Sequence, residues 1–174
     1  NRIFQGKPLS CSLNPATGRE QLYALARAEK PGNVVIVGGG VGGLEAARVL
    51  SLRGHRVRIF EQRFELGGHV IEGCVPEFKK DLRTLLNWYS RQLDTLGVDV
   101  VLGMQATEAT LFEEKADTII LATGSTYVPL EIPGSTRNNL VSMSELFRQG
   151  EPQEKVFTIV GGGLVGCEEV PAVT

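Results

Sequence analysis

Val34-Val35-Ile36-Val37 runs without interruption into Gly38-Gly39-Gly40-Val41-Gly42-Gly43, and this junction constrains the fold more than any other feature of the chain. Consecutive β-branched residues bounded by glycine form a strand buried on both faces, the habit of parallel sheets. The glycines put Gly38, Gly40 and Gly43 at GxGxxG positions, and each has a mechanical task. The first permits a tight turn, and the second lets a pyrophosphate come up against the backbone. The third allows a following helix to pack closely while its N-terminus faces the anion. Any substituent at Gly40 should clash.

The flanking pattern supports that turn. Residues 44–52 read as a helix, with small Ala46 and Ala47 for close approach to a sheet and Gly54 as the stop. A second strand follows at Arg56–Glu61 and ends on a carboxylate eighteen residues beyond Gly43, where it can accept hydrogen bonds from a ribose. Phe78, Leu82, Leu85, Leu86, Tyr89, Leu93 and Leu96 then recur at steps of three and four until Gly97, which predicts a long amphipathic helix. Strands are predicted at Asp99–Leu102, at residues 105–108 and at residues 117–122. Residues 156–160 form another apolar run and lead into Gly161, Gly163 and Gly166, a second GxGxxG, after which Pro171 interrupts the expected helix. Strands alternating with helices argue for an α/β fold, and two such turns argue for two nucleotides.

Composition excludes several other classes. The 174 residues carry 18 Lys+Arg against 20 Asp+Glu, without the basic excess that neutralises a nucleic-acid backbone. The apolar runs are far shorter than the roughly 20 residues that cross a bilayer, so no membrane span is expected. Cys11, Cys74 and Cys167 lie far apart and make neither a disulfide framework nor a metal knuckle by themselves, which suits a reducing, cytoplasmic setting. The chain opens on Asn1 rather than Met and reads as a fragment.

Two turns about one domain apart, with Ala122-Thr123-Gly124 ending a strand between them, resemble the two-dinucleotide-binding flavoproteins that include the pyridine nucleotide-disulphide oxidoreductases. The resemblance implies a Rossmann-like FAD/NAD(P)-binding α/β fold, with a parallel central sheet, flanking helices and a small antiparallel β element. It implies that the first turn takes FAD, or ADP in the same site, and the second NAD(P)H. Gly38, Gly40, Gly43 and Glu61 would hold the ADP half, with Gln62 and Arg63 beside the adenosine. Gly67 and Gly68 of Leu66-Gly67-Gly68 would make a second contact with the pyrophosphate, and Ala106 would meet adenine. Ala122, Thr123 and Gly124 would mark where the chain leaves the FAD domain, and Gly161, Gly163 and Gly166 would open the NAD(P) domain. A redox-active disulphide needs two neighbouring cysteines, and Cys74 has none near it in sequence, which disfavours that subfamily.

The first thirty residues narrow the resemblance. Ile3-Phe4, Gly6-Lys7 and Cys11-Ser12-Leu13-Asn14-Pro15 before Gly18-Arg19-Glu20 resemble the iron-sulphur members of the Old Yellow Enzyme group, including the 2,4-dienoyl-CoA reductases and trimethylamine dehydrogenases. In that group an FMN-binding barrel leads into four cluster cysteines, and Cys11 matches the fourth. The resemblance thus implies a 4Fe-4S cluster and FMN in the intact protein, the remaining ligands lying upstream of Asn1. It divides the chain into an extension at 1–32 after an iron-sulphur segment, an FAD- or ADP-binding domain at 33–150, and a truncated start of an NAD(P)-binding domain at 151–174.

His55 reads as a solvated surface residue at a helix–strand turn. His69 follows Gly68, where a polar residue could face the flavin, but reads as an ordinary loop histidine, and Asp81, Arg83 and Asp94 read as the wet face of the long helix. Trp88 and Tyr89 read as packing groups. No nucleophile-base pair or carboxylate dyad is defensible, so no catalytic residue is assigned, as expected where a flavin carries the chemistry. The expected function is the FAD-binding part of an NAD(P)H-dependent flavin oxidoreductase that passes electrons through the cluster to FMN and a small substrate. The alternatives are a non-catalytic ADP-binding module or a simple NAD-binding dehydrogenase domain. An oligomer is compatible with the chain.

Overall fold

A computed structural model describes residues 3–11, 14–128, 133, 140–148 and 158–169. Four strands, β1 (Asn33–Val37), β2 (Arg56–Glu61), β3 (Asp99–Leu102) and β4 (Thr118–Leu121), form one sheet in the order β3-β2-β1-β4. Every pairing is parallel, with Val34 opposite Val57 and Thr118, and Val37 opposite Phe60 and Leu121. Helix α1 (Val41–Leu52) joins β1 to β2, the short α2 (Val70–Gly73) and the long α3 (Leu82–Leu96) lead to β3, and α4 (Glu108–Glu113) leads to β4. Two further short helices are α5 (Met143–Arg148) and α6 (Leu164–Glu169). None of the described helices is long and apolar enough to cross a membrane.

The core follows from the alternation along β1. Val34 and Ile36 pack with Val57 and Ile59 of β2 against Leu44 and Ala47 of α1 and Tyr89 and Leu93 of α3. These two helices therefore cover one face of the sheet. Gly97 stops α3 in a left-handed conformation, as its position after Leu96 predicts. Asp81, Arg83 and Asp94 are exposed as expected. Trp88 and Tyr89 pack edge to face at 4.9 Å between centroids, while the Tyr89 hydroxyl donates to Glu45 across the α1–α3 contact at 3.2 Å.

Burial, reinforced by the Glu45 carboxylate, pushes the Tyr89 hydroxyl up to about 12 from its usual 10.0. The folded state therefore keeps this proton where the unfolded chain begins to lose it. The stabilisation is fully present below the unfolded value and fades as pH rises towards the folded one. Denaturation followed between pH 9 and 12 should show stability falling through this window, and Tyr89→Phe should flatten the fall.

Several expected elements differ. Residues 105–108 form no strand, because Thr107 accepts the amide of Thr110 at 3.2 Å and so caps α4. Helix α1 begins three residues before Leu44, bringing Gly42 and Gly43 inside it, and Phe78 lies in a separate 3-10 turn (Glu77–Lys79) ahead of α3. Val156 and Phe157 lie outside the described residues, and residues 158–160 have no strand partner among the described residues. The small antiparallel element has no counterpart among the described residues.

The apolar run in β4 is buried on one face. Ile120 joins the core, but Ile119 and Leu121 face the other way and are 44% and 72% exposed. A cleft of about 1040 Å³ opens there between β4 and α4, lined by Val37, Ala106, Leu111, Phe112, Ile119 and Leu121 among others.

Candidate nucleotide site

The strand order supplies what sequence could not. From β1 the chain winds outward through β2 to β3, then returns to place β4 on the opposite side of β1, so the direction of winding reverses between β1 and β4. In open parallel sheets, ligands bind in the crevice beyond the carboxyl ends of the strands at such a reversal. The glycine turn leaves β1 at this crevice, and residues 122–124 leave β4 beside it.

Gly38 has φ +109°, outside the range that side chains favour, and a Cβ on it would stand 2.3 Å from the Ala122 carbonyl oxygen. The turn and the chain leaving β4 thus touch backbone to backbone. A Cβ on Gly43 would lie 2.0 Å from the Gly38 carbonyl oxygen, so that glycine lets α1 tuck beneath its own turn. Gly40 differs, since a Cβ there would meet only Gly68 Cα, at an ordinary 3.8 Å. The protein itself leaves the space at Gly40 free. The clash expected there has to come from a ligand.

Glu61 is buried at the end of β2 and is turned in on the turn. Its Oε2 accepts the Gly39 amide at 2.7 Å and its Oε1 the Arg63 amide at 2.8 Å. The carboxylate therefore braces the loop. Each oxygen keeps a further acceptor direction for a ribose hydroxyl. Gly39, which is not among the motif glycines, is thus a fixed point of the site. Its carbonyl accepts the Gly67 amide at 2.8 Å, and Gly40 and Gly67 form a parallel bridge. Leu66-Gly67-Gly68 accordingly lies against the turn as the resemblance implies, with Gly68 so close that a Cβ on it would be 3.0 Å from Gly40 Cα.

Arg63 turns its guanidinium to the Gly68 carbonyl at 3.4 Å and to Glu72 at 3.0 Å, while Gln62 is exposed. Glu72, buried in α2, also accepts from Arg148 of α5 at 2.5 Å. Burial raises its pKa, but the Arg148 hydrogen bond and the Arg63 charge outweigh this and hold the carboxyl below its ordinary value. Its second oxygen, Oε2, is buried without a hydrogen-bond partner. His69 Nδ1 stands 3.4 Å away from that oxygen, and His69 Nε2 is 2.8 Å from the Ser125 carbonyl oxygen. Sequence reasoning passed over Glu72, Arg148 and Ser125, because contacts spanning 76 and 56 positions leave no local pattern.

Ala106 is half-buried and lines the cleft on the α4 side with Val37 and Thr123. Ala122 is half-buried and donates its amide to Val37 at 2.8 Å, and Thr123 and Gly124 are exposed. The second glycine turn repeats the first locally. Gly161 has φ +116°, a Cβ on Gly166 would meet the Gly161 carbonyl oxygen at 2.1 Å, and a Cβ on Gly163 would meet nothing within 4 Å. The Cys167 amide donates to the Gly163 carbonyl at 3.0 Å, as Leu44 does to Gly40 at 2.9 Å.

Cys11 is exposed, and no group of three metal-ligating side chains occurs among the described residues. Iron-sulphur ligation by four cysteines would need three more beside Cys11. Cys74 is buried with its thiol donating to the Ile71 carbonyl at 3.1 Å, and among the described residues it is in no disulfide. His55 is half-buried and accepts the Gly32 amide at 3.2 Å rather than standing free in solvent.

A model of the pyridine nucleotide-disulphide oxidoreductase family matches residues 32–172. The chain belongs to this family. A cinnamate reductase of Clostridium sporogenes is 44% identical over 167 residues, covering 96% of this chain and 25% of that protein. A multifunctional alkene reductase/demethylase OYE of Caballeronia cordobensis is 30% identical over 155 residues, covering 88% of this chain and 23% of that protein. The solved structure of a 2-naphthoyl-CoA reductase with 2-naphthoyl-CoA superposes with a TM-score of 0.81 at 30% identity, covering 84% of this chain and 23% of its own. The Old Yellow Enzyme resemblance and the parallel, helix-flanked fold are thereby borne out. The chain spans about a quarter of the length of these relatives.

Proposed function

We propose that this member of the pyridine nucleotide-disulphide oxidoreductase family is the FAD-binding part of an NAD(P)H-dependent flavin oxidoreductase. The observation that carries the proposal is the turn at residues 38–43, set at the reversal of strand order, with the space beside its central motif glycine Gly40 left free by the protein. The turn amides and the start of α1 hold the pyrophosphate, Glu61 takes the ribose, and residues 66–68 close the second side. Bound FAD supplies acceptance of two electrons from a pyridine nucleotide and their release one at a time. The chain's own residues bind and orient. The turn at residues 161–166 repeats the geometry of the first and is assigned to NAD(P)H. Electron transfer onward through a cluster to FMN belongs to the longer protein, as do its substrate, any assembly and a cytoplasmic setting.

Mass spectrometry of the nucleotide released on denaturing the protein tests the assignment. Release of FAD is expected. Release of NAD alone, or of no nucleotide after incubation with FAD, would overturn it.

A further inference from the structure

The strand order fixes how a nucleotide lies in the crevice. Glu61 closes β2 on one side of the glycine turn, and Ala122 follows β4 on the other. With ribose on the Glu61 side, whatever is attached beyond the second phosphate runs out over the end of β4, past residues 122–125.

One side chain lies across that exit. The exposed His69 ring reaches from the loop carrying Gly67 and Gly68 to the Ser125 carbonyl, at 2.8 Å, and joins the two walls between which the extension would pass. The ring is backed from below. Its Nδ1 faces the buried, unpartnered Oε2 of Glu72 at 3.4 Å, and the other oxygen of Glu72 is pinned by Arg63 and Arg148. A carboxylate so buried, with one oxygen left for the imidazole, holds the ring where it stands.

We infer that His69 is the specificity-determining residue of this site. By bridging to Ser125 it admits a nucleoside diphosphate and opposes anything extended beyond the second phosphate until the bridge opens. The inference rests on reading the turn as a nucleotide site. Seating FAD costs the His69–Ser125 hydrogen bond, whereas seating ADP leaves it in place.

Dissociation constants for ADP and for FAD, measured by titration calorimetry on the full chain and on His69→Ala and His69→Gln, test this. His69 is exposed, so its replacement should leave the fold intact, and melting curves check that. His69→Ala should shift the ratio of the two constants towards FAD about fivefold, the factor that one net hydrogen bond is worth. His69→Gln, whose amide can still donate to the Ser125 carbonyl, should stay near the native ratio. An unchanged ratio in His69→Ala, or equal weakening of both ligands, would overturn the inference while leaving the nucleotide site standing. If neither ligand binds the native chain, the nucleotide reading falls and this inference with it.

Discussion

Gly43→Ala is expected to lose at least about 3 kcal/mol of folding stability, because its methyl group would be driven into the backbone of the preceding turn. The added Cβ would lie 2.0 Å from the Gly38 carbonyl oxygen, and no side-chain rearrangement relieves a clash with a main-chain atom. Gly38→Ala should behave alike, since it combines φ +109° with a 2.3 Å approach to the Ala122 carbonyl oxygen. Domains of this size hold only about 5–15 kcal/mol in total. Urea denaturation monitored by circular dichroism should therefore show both midpoints falling steeply. A native-like midpoint for either variant would mean that the turn does not sit against β4 and α1 as described.

Gly40→Ala should do the opposite. Its φ of −74° and ψ of 174° suit alanine, and the new methyl group meets nothing in the protein closer than 3.8 Å. The only folding cost is that of alanine at a helix N-cap, about 1 kcal/mol or less. A pyrophosphate seated on the turn would collide with the methyl group. ADP affinity should then fall about a hundredfold, the equivalent of nearly 3 kcal/mol. A calorimetric titration of the refolded variant reads this directly, and undiminished affinity would place the anion elsewhere.

The contrast between these two glycines shows how far the sequence could be read. Gly38, Gly40 and Gly43 were legible as a motif, and β1, β2, β3 and the body of α3 as hydrophobic periods, because each depends on neighbours a few residues away. The parallel sheet was legible from the β-branched run at Val34. The strand order was not, since nothing local in Thr118–Leu121 says that it lies beside β1 rather than beyond β3. The pattern at residues 105–108 misled for a related reason, because the hydroxyl of Thr107 competes as a helix cap and wins over strand propensity.

Within the site, Glu61 was legible as a carboxylate at a strand end, but not its bracing of the Gly39 amide. The Glu72 cluster was invisible for the same physical reason as the strand order. Arg63 and Glu72 are joined across a loop, Arg148 arrives from a distant helix, and His69 meets a main-chain oxygen that has no sequence signature. The exposed side of β4 was also hidden, because an apolar run looks the same whether or not its second face is covered.

The most direct test of the central claim is an amide-resolved NMR titration of the chain with ADP. The nucleotide-site account predicts the largest shift changes at the amides of residues 38–43, followed by Gly67 and Gly68, with saturation at one equivalent. Changes confined to the cleft between β4 and α4, or none at excess ADP, would contradict it.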